Sequence, residues 1–219
     1  MATRTIPAIG TPAARRAAMR ASLVAYRLVA LDELWTAEVD AAQGAPGEAD
    51  LRELEELARE LSDVLTESRD HAYELRMMLD EQVSDDAFTE ALDAISESPA
   101  APSDLLEMLV LSVPEYEPRS AVITACDYIR ETADSESALL HEKLSALQSG
   151  GAAQGDVRMP FKCAALLMLV GGGAVASIGL GGAPLFVGMS VGSQVGLGAL
   201  AWIEGKCPNL LAEIGFGRR

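Results

Sequence analysis

The residues able to do chemistry are few. The chain holds two histidines, His71 and His141, and three cysteines, Cys126, Cys163 and Cys207. No cysteine pair has the short spacing of a metal site, and three are too few for a disulfide scaffold. His71 stands beside Asp70 and Glu74, which offers at most a weak metal contact on what reads as a surface position. The acid pairs Glu55-Glu56, Asp80-Glu81 and Asp85-Asp86 read as solvated helix faces or caps. There is no phosphate-binding loop, no HExxH and no nucleophile elbow. The stretch GLGG at 179–182 is apolar on both sides, so it is no phosphate cradle. No catalytic residue, metal ligand or cofactor is expected, and the chain reads as non-enzymatic.

Charge is distributed unevenly. The formal net charge is −16. Residues 1–155 carry 30 acids and 12 bases, whereas residues 156–219 carry 3 acids and 5 bases. An acidic body argues against nucleic acid, which needs a cationic face to displace counterions. Arginine far outnumbers lysine, which suits a GC-rich, bacterial source.

The elements before residue 150 read as helices. A disordered arm is expected over 1–12 and an acidic bundle over 13–149. The first helix is expected from about Ala13 to Val39, with Met19, Leu23, Tyr26, Ala30 and Leu34 as its apolar stripe. Arg16, Arg20 and Arg27 share another face. Solvation or pairing with the acidic neighbouring helix accounts for them, with anionic lipid the other reading. A second helix runs from about Ala49 to Gln82, with Leu54, Leu57, Leu61, Val64, Ser68, Ala72, Leu75 and Leu79 in register. Together these two form a long αα-hairpin with a seam near coiled-coil spacing. Ser84 or Asp85 caps a short helix bearing Phe88, Leu92 and Ile95, and a further short helix follows Ser103. The last bundle helix spans about Arg119 to Gln148, with Val122, Cys126, Ile129, Ala133, Leu140, Leu144 and Leu147 as its apolar stripe, closed by Gly150 and Gly151.

Residues 150–160 form a Gly-rich linker. Beyond it, Cys163 to Ile203 holds 41 residues without a charge. A membrane-spanning helix needs about 20 apolar residues. Gly181, Gly182 and Pro184 mark a turn at the midpoint. The expected unit is therefore an apolar helical hairpin over 161–207, followed by a basic tail at 208–219. Phe161, Lys162, Trp202 and Lys206 would anchor it at the interface. The flanking bases place both termini in the cytoplasm, at a bacterial inner membrane. Gly188, Gly192 and Gly196, four apart, make a smooth face for helix packing, within the hairpin or between copies. Gly171, Gly172 and Gly173 fit less well, each costing about 1 kcal/mol against Ala inside a helix. Cys163 and Cys207 share the base of the hairpin and could bond in an oxidising space, whereas a cytoplasmic base implies thiols.

The expected fold is all-α: an acidic helical bundle with a long αα-hairpin, then a C-terminal hydrophobic hairpin. The expected function is a membrane-anchored, non-enzymatic protein whose bundle binds a helical partner or self-associates, with the lipid bilayer as the other partner. Two alternatives are a pore-forming or membrane-permeabilising effector with a conditionally inserted hairpin, and a soluble protein with the hairpin as its core. A hydrophobic hairpin kept inside a soluble bundle is similar in layout to colicin-type pore-formers, with no motif in common.

Overall fold

A computed structural model describes residues 6–42, 46–96, 118–150 and 159–178. These fold into five helices, with no strand among the described residues: α1 (Pro12–Ala41), α2 (Glu48–Gln82), α3 (Asp85–Ser96), α4 (Pro118–Gln148) and α5 (Met159–Ser177). The all-α class follows.

Local chemistry sets the helix ends. Thr11 caps α1, its hydroxyl accepting from the Ala14 amide at 3.2 Å, and Pro12 takes the first helical position where its missing N–H costs nothing. Asp50 accepts from the Gly47 amide at 2.8 Å at the start of α2. Ser84 caps α3 through the Ala87 amide at 3.2 Å. After α4 the chain turns at Gly150, whose φ of +77° lies in the left-handed region that glycine enters without penalty. Residues 6–11 pack back on the bundle. Gln82 accepts from the Ile9 amide at 2.9 Å and donates to Pro7 O at 3.3 Å, and Ile6 and Ile9 pack on the core.

The four long helices close into a ring, each packed on the next: α1 on α2, α2 on α4, α4 on α5 and α5 on α1. Their contacts give the directions. Along α2 and α4, Glu55 meets Gln148, Ser62 meets Ser137, Arg69 meets Asp134 and Arg76 meets Asp127, so the pair is antiparallel. Antiparallel pairing also holds for α1 with α2 (Arg27 to Glu60 and Glu67, Pro7 to Gln82) and for α1 with α5 (Ser22 to Leu169, Asp32 to Lys162). The result is an up-down-up-down bundle. Arg119, in the first turn of α4, locks its base by bonding Asp85 at 2.5 Å and Leu79 O at 3.0 Å.

The first apolar segment forms the bundle's fourth long helix. It starts at Met159, within the expected linker, and ends at Ser177. The inner face of α1 is also rotated from the one expected. Ala14, Ala18, Ala21, Val24, Ala25, Leu28, Trp35 and Val39 are buried, while Leu23 and Leu34 are each 48% exposed. Alanines set this face because α1 must lie close to α5, and only small side chains permit that. On α2 and α4 the expected stripes are the buried ones, Leu57 and Leu144 being only partly covered.

Candidate functional site

The feature that most departs from an ordinary bundle is α5 and the cradle around it. A bundle helix needs one apolar stripe. Helix α5 is apolar all round, with Ala164 to Val170 running seven residues without a polar side chain. Every residue from Phe161 to Ser177 is buried. Among the described helices, α5 alone packs against each of the other four.

Three contacts fasten it to α1. Lys162 Nζ lies 2.5 Å from Asp32 Oδ2, with side-chain exposures of 7% and 1%. Both charges are thus removed from water, and the pair is tolerable only because each neutralises the other. About two turns further along α5, the Ser22 hydroxyl donates to Leu169 O at 2.6 Å. Beside it α5 presents Gly172. A Cβ there would sit 2.6 Å from both Ala18 O and Ser22 Oγ, and 3.0 Å from Ser22 N. Gly171 faces α4 instead, where an added Cβ would overlap the Val122 side chain. The glycines that burden an isolated α5 thus let two neighbours approach it. Phe161 is buried near Tyr128 of α4, ring centroids 6.5 Å apart.

Cys163 is disulfide-bonded and Cys126 is free. Cys207 is the only other cysteine in the chain and lies outside the described residues. Cys126 is buried in α4. Desolvation pushes its thiol pKa well above the usual value, the Asp127 charge adds to this, and Arg130 and Arg76 oppose it weakly. The thiolate, which is the nucleophile, is therefore suppressed. Iodoacetamide at pH 8 is expected to leave the native protein unlabelled. It should add one group in denaturant alone and three in denaturant after reduction, counted by intact mass. Labelling of the native protein would refute the burial of Cys126, and three groups without reduction would refute the disulfide.

Of the residues expected to matter, Phe161 and Lys162 are buried among the described helices. Gly181, Gly182, Pro184, Gly188, Gly192, Gly196, Trp202 and Lys206 lie outside the described residues. His71 is no open surface histidine. Its side chain is 12% exposed, between Glu67 at 3.6 Å and Glu74 at 3.4 Å. No group of three or more metal-ligating side chains forms among the described residues. Among them, too, no helix is long and apolar enough to cross a membrane. Asp32 was missed in the sequence, although a signal was there: it lies one turn from both Leu28 and Trp35, on the face that α1 buries.

Comparison with known proteins places no relative beside this chain: no family model, no curated protein and no solved structure matches it.

Proposed function

We propose that this chain is a non-enzymatic helical bundle that stores an apolar helix and releases it into a lipid bilayer, permeabilising the membrane. One observation carries the reading. Helix α5 is apolar on every side and carries no charge beyond Lys162, so it suits a lipid environment as well as the bundle interior that buries it. The uncharged run continues past α5 to Ile203, long enough for a hairpin partner. Segments from several copies could then associate through Gly188, Gly192 and Gly196.

The cradle supports storage over constitutive anchoring. An anchor resident in lipid gains nothing from a buried Asp32–Lys162 pair on its own first turn. The disulfide at Cys163 supports an oxidising compartment. It goes against the cytoplasmic location that the flanking bases suggest. The membrane-anchored interaction protein remains the second reading, favoured by the length of the uncharged run. In that case Leu185–Ile203 would span the membrane and α5 would stay in the bundle.

Detergent-free extraction of the full chain separates the readings. Storage predicts a soluble protein that releases dye from liposomes. Anchoring predicts a pellet that only detergent dissolves. Soluble protein without dye release leaves α5 as an unusually apolar core and refutes the proposal.

A further inference from the structure

One surface of the bundle runs against its overall charge. On α1, Arg16, Arg20, Leu23, Arg27 and Leu34 fall within an arc of about 60°, at about 100° per residue. The arc extends about 27 Å along the helix. It lies opposite the buried alanine face. Leu23 and Leu34 are the exposed large apolar side chains among the described residues. Arg27 is shared with Glu60 at 3.6 Å and Glu67 at 3.4 Å on α2. Arg16 and Arg20 are exposed and have no carboxylate partner among the described residues. No acid precedes Asp32 in the chain. A basic strip with leucines set among the arginines therefore stands on a protein of net charge −16.

We propose that this face of α1 is a docking surface for an anionic phospholipid bilayer. Lipid phosphates would meet Arg16 and Arg20. Leu23 and Leu34 would enter the headgroup boundary, as the apolar residues of interfacial helices do. Charge complementarity requires an anionic occupant. The opposite face of the same helix makes it a membrane, because that face holds the Asp32, Ser22 and Ala18 contacts that fasten α5. Docking would set the helix that restrains α5 directly on the lipid. The inference rests on the membrane-releasing function proposed above and names the surface that recognises its target.

The test is co-sedimentation of the full chain with vesicles of phosphatidylcholine alone or mixed with phosphatidylglycerol, with dye release read in the same samples. The wild type should bind the mixed vesicles, bind the neutral ones weakly, and lose binding as salt rises. The double variant Arg16→Gln/Arg20→Gln should partition roughly 30-fold less with unchanged thermal stability. Arg59→Gln, an exposed arginine of α2, should change partitioning far less. Equal binding by wild type and double variant overturns the proposal. So does loss of self-association in the double variant with vesicle binding intact, which would make a second copy the occupant. Binding through Arg16 and Arg20 without dye release keeps the docking surface and removes the permeabilising function. Dye release insensitive to both arginines does the reverse.

Discussion

Replacing Asp32 by Ala is expected to destabilise the bundle by about 3–5 kcal/mol, because Lys162 would be left charged and unpaired in the interior. Lys162→Ala should cost a similar amount for the mirror reason. The informative variant is the double replacement Asp32→Leu/Lys162→Met, which fills the same space with apolar groups. It should lie within about 1–2 kcal/mol of the wild type, since neither desolvated charge then remains. The two single losses would be strongly non-additive, as expected for side chains 2.5 Å apart. Denaturant melts of the four proteins measure the cycle. If the single variants each cost under 1 kcal/mol, the pair is not buried and α5 is not fastened as described.

A second large effect is expected at Gly172. An alanine there should destabilise despite its better helix propensity, because its Cβ would meet the backbone of α1 at Ala18 O and Ser22 N. Gly172→Val should cost about 3 kcal/mol, the upper end of the usual overpacking range. Gly171 extends the test to α4. A Cβ there would overlap Val122 Cγ1 and lie 3.2 Å from Val122 Cβ. Val122 is buried and a helical valine has one strongly preferred rotamer, so Gly171→Ala should also destabilise, although alanine recovers about 1 kcal/mol of helix propensity. A melting temperature at or above that of the wild type for Gly172→Ala would mean that α1 and α5 do not approach through Gly172.

How much of this could be read beforehand depends on the helix. The stripes of α2 and α4 were plain because leucine, valine and isoleucine recur at three- and four-residue spacing. That period has only one structural meaning in a polar background. Helix α1 misled for a physical reason. Its large apolar residues, Leu23 and Leu34, lie on the outer arc, while alanines and a single buried acid form the inner face. Hydrophobicity alone ranks a leucine stripe above an alanine stripe. The close approach that reverses the ranking depends on Gly172, more than a hundred residues away in the chain. The character of α5 was legible and its place was not. A segment apolar on every side satisfies a bilayer and a bundle interior equally, so periodicity cannot choose between them. Lys162 held the clue. Beside a membrane segment it reads as a flank, but its partner is the first acid of the chain, on a helix whose preceding residues are all neutral or basic.

The central claim is that the bundle restrains α5 and lipid receives it. Dye release from anionic liposomes by wild type and Asp32→Ala, compared at equal bound protein, tests it most directly. If the Asp32–Lys162 pair is a restraint, the variant should release dye faster, because the variant gives up less on freeing α5. Slower or equal release by a variant shown to be destabilised would contradict the account, and α5 would then be simply the core of the bundle.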